Sequence, residues 1–173
     1  GHAMWPDFTN VPNEFVEAYF PLRITQYETI ADSGGAGLHR GGNGLSIGYQ
    51  FLEPGNISIH DDRWLTHPWG VNGGHPGARS TKLMARADGT EEWMESKCDR
   101  IQVNAGDTLF FNTWGGGGWG DPLARDPALV ALDTKRGLVT TEGAKRYGVV
   151  LSVDAQVDQR GTDDLRRRMA ADR

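Results

Sequence analysis

One short stretch constrains the fold more than any other. Four consecutive glycines stand between Trp114 and Trp119, and the chain then continues with Gly-Asp-Pro. Glycine has no Cβ, so such a run approaches another backbone closely or adopts φ values that other residues avoid. We predict a glycine-rich interface loop that consists of Trp114, Gly115, Gly116, Gly117, Gly118, Trp119, Gly120 and Asp121.

A phosphate-binding role for this loop is disfavoured by the residues that follow it. Gly115, Gly117 and Gly120 match the spacing of the dinucleotide fingerprint, but that fingerprint needs a helix that begins at its third glycine. Here an Asp-Pro pair follows, and the next helix signal comes only near Pro127. The Gly-Lys-Ser/Thr ending of a P-loop occurs nowhere in the chain.

Two further glycine clusters lie in residues 32–44 and 68–80, and they bring the count to 24 glycines in 173 residues. That is about twice the usual share of ~7%, without the fixed period of collagen. We interpret residues 32–44 as a tight connection whose glycines take positive φ; an anion site at its arginine and histidine is the alternative. A second candidate interface or ligand loop contains Asp62, Arg63, Trp64, Trp69 and His75.

Alternation of apolar and polar residues predicts strands through most of the chain up to Trp114. Three strands are predicted in residues 22–30, 44–53 and 55–62. Two hairpins follow, which turn at Asp88-Gly89 and at residues 104–107. This spacing is typical of a β-sandwich or an open barrel. The sequence therefore predicts a mainly β domain with short C-terminal helices.

Helix signals appear in the C-terminal third. Asp126 is placed to cap a helix that begins at Pro127 and stops before Gly137, a second short helix ends at Gly148, and residues 149–153 are predicted as a last strand. The predicted parts of the chain are a cloning scar (1–4), an N-terminal arm (5–20), a β-rich domain (21–122), a helical segment (123–154) and a polar tail (155–173).

Charge and cysteine content exclude several classes of function. The net charge of −5 is mixed in sign along the chain, which gives no basis for a nucleic-acid partner. Cys98 is the only cysteine, so an internal disulfide framework and a CxxC zinc cluster are both excluded. The sequence has no apolar stretch of about 18 residues and no secretory signal. We expect a cytoplasmic protein that has no membrane partner.

No self-contained catalytic site is visible in the sequence, and no catalytic residue is assigned. Cys98 lacks an activating motif, and the Gly-x-Ser-x-Gly nucleophile elbow is absent. The weak metal candidates are His60, Asp62 and His67. Alternation along a strand end would let His60 and Asp62 converge while Asp61 points away. A metalloenzyme built on these residues is one hypothesis.

Four stretches in a fixed order resemble one enzyme family. Residues 20–45, 61–80, 113–127 and 137–151 are similar to the C-terminal region of hydantoinase B/oxoprolinase-type subunits, which include those of acetone and acetophenone carboxylases and N-methylhydantoinases. The resemblance implies an ATP-dependent multi-subunit enzyme. In that family a hydantoinase A-type partner phosphorylates an oxygen of the substrate, and the B-type subunit contributes the site where the activated substrate is carboxylated or hydrolysed.

The same resemblance implies that the chemistry lies outside this chain. The family's metal-binding and catalytic residues lie in an N-terminal part with no counterpart here. We therefore expect no cofactor in this chain, with ATP and a divalent metal held by two partners: the A-type ATPase subunit and the remaining B-type subunit. The chain would be an excised C-terminal domain or a natural small subunit. Its tryptophan-rich motifs favour the acetone/acetophenone carboxylase branch over hydantoinases and lactam hydrolases.

Two roles are open for the tryptophans and the glycine run. As part of a complex, the run would be a hinge between the β-rich domain and the C-terminal helices, and a wall against a larger subunit's active site. A function of a different class is an independent β-sandwich module that stacks a ligand on Trp64, Trp69, Trp114 and Trp119.

Overall fold

The computed structural model describes residues 11–172. The predicted cloning scar and the first part of the predicted arm lie outside these residues. The strands are β1 (Leu22–Thr29), β2 (Leu45–Phe51), β3 (Gly55–His60), β4 (Thr81–Ala85), β5 (Glu91–Trp93), β6 (Lys97–Val103) and β7 (Thr108–Asn112). The helices are α1 (Asn13–Tyr19), α2 (Pro127–Lys135) and α3 (Gln159–Ala171), with 3₁₀ turns at Pro122–Ala124 and Gly143–Tyr147.

The strands form two antiparallel sheets, which confirms the prediction of a strand-rich fold. Five strands pair in the order β1-β2-β7-β4-β5, and β3 pairs with β6 in a separate two-stranded sheet. An apolar core lies between the sheets, because alternate residues of each strand point to the same side. Its buried members come from both sheets and the adjoining chain: Phe51, Ile59, Met84, Met94, Val103 and Leu109. The arrangement is an open sandwich and not a closed barrel.

One of the two predicted hairpins is confirmed and the other is wrong. β4 pairs with β5 across a turn in which Gly89 has φ +87°. β6 and β7, by contrast, do not pair, since β6 joins β3 and β7 lies between β2 and β4. The turn between them still forms as a local structure: Gly106 has φ +92°, and the carboxylate of Asp107 accepts the backbone N–H of Asn104 at 3.0 Å. This turn carries the chain from one sheet to the other.

The helical part follows most of its sequence signals. Asp126 caps α2 by accepting the Ala128 N–H at 2.8 Å, and Gly137 follows the helix with φ +72°. Gly148, at φ +64°, ends the second turn of helix. The predicted strand at 149–153 is wrong, because only an isolated bridge links this segment to Val157. This part has its own core, with Ala36, Val130, Ala131, Val139, Ala144, Tyr147, Val149 and Leu151 buried.

The polar residues after Asp154 include a helix that is fastened along one side. In α3, Thr162 is buried, and its hydroxyl accepts the Val150 N–H at 3.0 Å. Arg166 donates to the carbonyl oxygens of Arg125 at 2.6 Å and Tyr147 at 3.3 Å. The longest helix of the described part, α3, has 13 residues, and none there is long and apolar enough to cross a membrane.

Candidate functional site: a glycine layer that carries a tryptophan surface

The three glycine-rich segments of the sequence meet in one place. Residues 33–44, 69–78 and 115–120 run alongside one another and form what we call the glycine layer. Gly35 N–H donates to Gly116 O at 2.8 Å, Gly118 N–H to His75 O at 2.9 Å, and His75 N–H to Ala36 O at 2.7 Å. Each segment is therefore hydrogen-bonded through its backbone to both of the others.

Close approach explains why these positions hold glycine. A Cβ on Gly115 would lie 1.8 Å from Ser33 O, and one on Gly117 would lie 1.9 Å from Trp69 O. Neither distance is possible between a carbon and an oxygen that are not covalently bonded, so only glycine fits. The same is true where a Cβ would lie 2.0–2.4 Å from a backbone oxygen, at Gly35, Gly41, Gly74, Gly77 and Gly118.

Two expectations about these glycines need correction. The prediction of positive φ for the glycines of residues 32–44 is wrong, since none of them has it; Asp32 does, at φ +61°. Their glycines are required by the neighbouring backbone instead. Residues 115–118 are also not a hinge, because they are bonded along their length between two other segments. Within 115–120, positive φ occurs at Gly120 (+75°), where the chain turns toward the helices.

Polar side chains fasten the glycine layer to the helical part. The carboxylate of Asp32 accepts the backbone N–H of Thr140 at 3.0 Å and its hydroxyl at 2.5 Å, and it pairs with Arg146 at 3.2 Å. Asn43 donates its amide to Leu138 O at 2.8 Å. The layer is therefore held on the helical side as well as within itself.

Large aromatic side chains stand on the outside of this layer. The side chain of Trp69 is 66% exposed, that of Val71 52% and that of Trp119 45%. These three residues form what we call the tryptophan surface, since the backbones of Val71 and Trp119 are bridged and Gly117 lies against the carbonyl of Trp69. The Arg63 guanidinium lies 4.5 Å from the ring of Trp69. An aromatic surface backed by a bonded layer is suited to contact another molecule.

A separate pocket of about 420 Å³ contains several of the predicted site residues. His60, Asp62 and Trp114 line it together, whereas His67 bonds to Gly77 O at 2.8 Å and is not part of it. Asp61 lines the same pocket, against the expectation that it points away, because β3 ends at His60 and the alternation stops there. In residues 11–172, no group of three or more His, Cys, Asp and Glu side chains is placed to hold a metal ion.

The other predicted loop residues are dispersed. Trp64 is half-buried and does not belong to the tryptophan surface, and His75 contributes its backbone to the glycine layer. The carboxylate of Asp121 accepts the Leu123 N–H at 2.8 Å and so starts the 3₁₀ turn after the run. Trp114 is 40% exposed beside the pocket.

The sequence analysis missed a buried charged cluster next to the pocket. Lys82 is fully buried on β4 and pairs with Asp61, whose side chain is 2% exposed. Asp61 also accepts the hydroxyl of Ser80, and the Lys82 ammonium lies 5.3 Å from the ring of Phe111. A signal was present, because Lys82 stands two residues before Met84 on the core side of a predicted strand. The cluster joins the end of β3 to β4.

The resolved pKa shifts supply no acid–base group near neutral pH. Burial raises the pKa of Tyr147 above 10.0, although Arg146, Arg40 and Arg125 oppose this, and burial also raises the pKa of Tyr49. Hydrogen bonds from Thr90 lower the pKa of Asp88 below 3.8. A general acid or base works best with a pKa near the operating pH. The site is therefore suited to packing and contact.

The fold and the site define a strand-rich domain whose backbone layer displays an aromatic contact surface. The profile of the hydantoinase B/oxoprolinase family matches residues 1–122, and the chain belongs to that family. A protein from a Pseudomonas species, assigned as the B-type subunit of a D-/L-hydantoinase, is 32% identical over 168 residues, which are 95% of this chain and 28% of that protein.

Two solved structures share the fold. The ATP-dependent caprolactamase from Pseudomonas jessenii matches with a TM-score of 0.81 and 28% identity, over 92% of this chain and 28% of that one. A nucleotide-free acetone carboxylase, described as an enzyme of ATP-dependent acetone carboxylation, matches with a TM-score of 0.84 and 24% identity, over 96% and 27%. The chain thus spans little more than a quarter of each of these proteins.

Proposed function

We propose that this chain is a structural and interface part of an ATP-dependent multi-subunit carboxylase of the acetone/acetophenone carboxylase type. It acts as the small subunit or C-terminal domain beside the catalytic subunits and has no activity alone. The observation that carries the proposal is the tryptophan surface on the glycine layer, which is built for contact and has no catalytic group beside it. Membership of the family and the fold shared with acetone carboxylase and caprolactamase support it.

The physical argument rests on exposed aromatic area. Trp69 and Trp119 are 66% and 45% exposed, although tryptophan is strongly apolar and usually mostly buried. Tryptophan is also enriched among the residues that contribute most to binding at protein interfaces. Because the backbone beneath is hydrogen-bonded to two other segments, the surface is already ordered before it meets a partner. Little conformational entropy is then lost on association.

The chemistry of the complex is assigned to its other members. A hydantoinase A-type subunit would bind ATP, and the remaining B-type polypeptide would hold the divalent metal and the reacting substrate. The tryptophan surface would contact these components and form a wall beside the active site. A hydantoinase or oxoprolinase-type hydrolase is the alternative for the whole complex, and it is favoured by the 32% identity to the Pseudomonas protein assigned to a hydantoinase.

The proposal is tested by isolating the chain with its natural partners. A tagged chain, expressed in the cells that encode it, is expected to co-purify with a hydantoinase A-type ATPase and a B-type polypeptide. The purified complex should consume ATP with a ketone substrate and bicarbonate, and with a hydantoin if the alternative is correct. The isolated chain should do neither. Turnover by the isolated chain, or a chain that purifies without either partner, would contradict the proposal.

A small-molecule binding module is the second candidate, because exposure of Trp69, Trp114 and Trp119 leaves their rings accessible. Stacking of a sugar or flat ligand on them would change tryptophan fluorescence. We expect titration of the isolated chain with simple sugars and aryl ketones to leave its fluorescence unchanged up to millimolar concentration. Saturable quenching at micromolar concentration, lost in Trp69→Ala, would favour the binding module.

A further inference from the structure

The five-stranded sheet has a second face whose centre is an apolar row. The strand register places Gly48, Phe110, Leu83 and Trp93 directly opposite one another on four neighbouring strands. Residues that are directly opposite in antiparallel strands point to the same side of the sheet. This row lies on the side away from the core, since the core takes Met84 and Leu109 from the alternate positions.

No layer of the described residues covers this row. The two-stranded sheet occupies the other side, and the helical part is organised around its own buried cluster. Neither cluster includes Leu83, Phe110 or Trp93. Trp93 is 69% exposed, and Leu83 and Phe110 are half-buried among their strand neighbours. We call this surface the open sheet face.

Polar residues flank the apolar row on both sides. The row above it pairs Thr81 with Asn112 and Asn112 with Ser46, and the row below it includes Thr108 paired with Gln50. Asn112 donates its amide to the Thr81 hydroxyl at 3.1 Å, which keeps the first polar row ordered. An apolar centre inside a polar rim is the usual composition of a protein–protein contact.

We propose that the open sheet face is the docking site for the remaining part of a hydantoinase B-type polypeptide. The inference rests on the proposed function and names the surface that its B-type partner contacts. The caprolactamase and acetone carboxylase chains contain this fold as only 28% and 27% of their length. In both, most of a B-type polypeptide lies outside the shared fold, so a large partner of this kind accompanies it.

The size of the row favours this partner over a second copy of the chain. Leu83, Phe110 and Trp93 together would bury on the order of 400 Å² or less. A stable interface takes about 800 Å² from each partner. The open sheet face therefore suits a partner that is also held elsewhere, and the tryptophan surface supplies such a second contact. Two linked contacts bind far more tightly than either one does alone.

The test introduces a charge into the row. Trp93→Glu places a carboxylate where the partner would bury an apolar side chain, and Val153→Glu is the matched control, at a 98% exposed apolar position in the helical part. Each variant is tagged and expressed in the cells that encode the chain, and recovery of the B-type polypeptide is quantified by mass spectrometry. Trp93→Glu should reduce recovery at least tenfold, whereas Val153→Glu should leave it unchanged. Circular dichroism of both variants must match the unmodified chain.

The outcomes separate this inference from the proposed function. If the unmodified chain and Trp93→Glu recover the B-type polypeptide equally, the inference is overturned and the proposed function stands. If the unmodified chain recovers none, both fail. Should Trp93→Glu not fold, a photo-crosslinking residue at position 93 decides in its place. Crosslinks to the B-type polypeptide support the inference; crosslinks to a second copy, or none, overturn it.

Discussion

The glycine layer and the sandwich core solve the same packing problem in opposite ways. In the sandwich core, side chains such as Met84 and Leu109 fill the space between two sheets. In the glycine layer, the backbones themselves fill it, and carbonyl oxygens lie where side chains would begin. A core of side chains accepts many residues of similar volume. A core of backbones accepts one residue type at each contact.

This difference bears on function. Because the layer uses no side chain in its interior, the side chains of Trp69 and Trp119 are free to point outward. The sandwich core has no such surplus, since its large residues are buried. The glycine layer is therefore the part that displays a contact surface, and the sandwich is the part that supports it. Substitutions in the two regions should differ in kind.

The largest expected effect comes from a single methyl group in the glycine layer. Gly117→Ala would place a Cβ 1.9 Å from Trp69 O, and Gly115→Ala would place one 1.8 Å from Ser33 O. The backbones must separate and their hydrogen bonds must break. We expect a loss of about 4–5 kcal/mol or more in the free energy of unfolding, or no folded protein. Thermal unfolding and the yield of soluble chain measure this.

The control uses the same change at glycines with space. Gly42→Ala meets nothing within 4 Å, and at Gly116 the nearest atom, Gly42 N, would lie 3.2 Å away. Gly42→Ala should change stability by no more than about 1 kcal/mol. A melting temperature for Gly117→Ala equal to that of Gly42→Ala would show that the layer is not packed through its backbone.

The buried pair at the edge of the sandwich core should be the next most sensitive. Lys82→Met leaves the carboxylate of Asp61 buried without its counter-ion, which costs about 3–5 kcal/mol. The double variant Lys82→Met, Asp61→Leu removes both charges, and the Ser80 hydroxyl can still donate to Asp62 O at 3.0 Å. It should recover most of the loss. Urea unfolding of both variants decides, and equal losses would exclude a coupled pair.

The interior of the sandwich should show the tolerance that the glycine layer lacks. Met84 is fully buried, so Met84→Ala should cost about 2–5 kcal/mol because a cavity remains. Met84→Leu keeps the volume and should cost less than about 1.5 kcal/mol. Chemical denaturation compares the two. If Met84→Leu were as damaging as Met84→Ala, the sandwich core would be as restrictive as the glycine layer.

A smaller, pH-dependent effect is expected at the turn between the sheets. Burial disfavours ionisation of Asp107, but hydrogen bonds from the Ala87 and Asn104 amides and from Arg86 outweigh it, so its pKa lies below 3.8. A lowered folded pKa stabilises the fold above the unfolded value of about 3.9, and this stability is lost as the pH falls through the folded pKa.

Asp107→Asn should therefore cost about 1–3 kcal/mol at pH 7, since the hydrogen bonds to a charged acceptor weaken. The difference from the unmodified chain should shrink toward pH 3 and below, where the carboxyl protonates. Urea unfolding at several pH values measures both. A difference that stays constant between pH 7 and pH 2 would show that ionisation of Asp107 does not contribute.

Local signals in the sequence were sufficient for much of the fold. Asp126, Pro127 and Gly137 fixed the ends of α2 because capping and termination depend on adjacent residues. Alternation located the strands for the same reason. The hairpin between β6 and β7 was wrongly predicted, since the Gly106 turn permits a hairpin but cannot choose which sheet each strand joins. That choice depends on partners far along the chain.

The candidate site was predictable in residue type but not in arrangement. The sequence marked Trp114–Trp119 and the two other glycine clusters, yet nothing local shows that Gly117 meets Trp69 or that Gly35 meets Gly116. Such contacts join segments that are tens of residues apart, and only the assembled fold brings them together. The pairing of Asp61 with Lys82 across two sheets was hidden for the same reason.

The central claim is that the glycine layer displays the tryptophan surface for assembly with other subunits. The most direct measurement is native mass spectrometry of the chain isolated with its partners, for the unmodified chain and for the double variant Trp69→Ser, Trp119→Ser. Both side chains are exposed, so the melting temperature of the variant chain should fall by only a few degrees. The fraction of chain in the complex should fall at least tenfold. An unchanged fraction would contradict the claim.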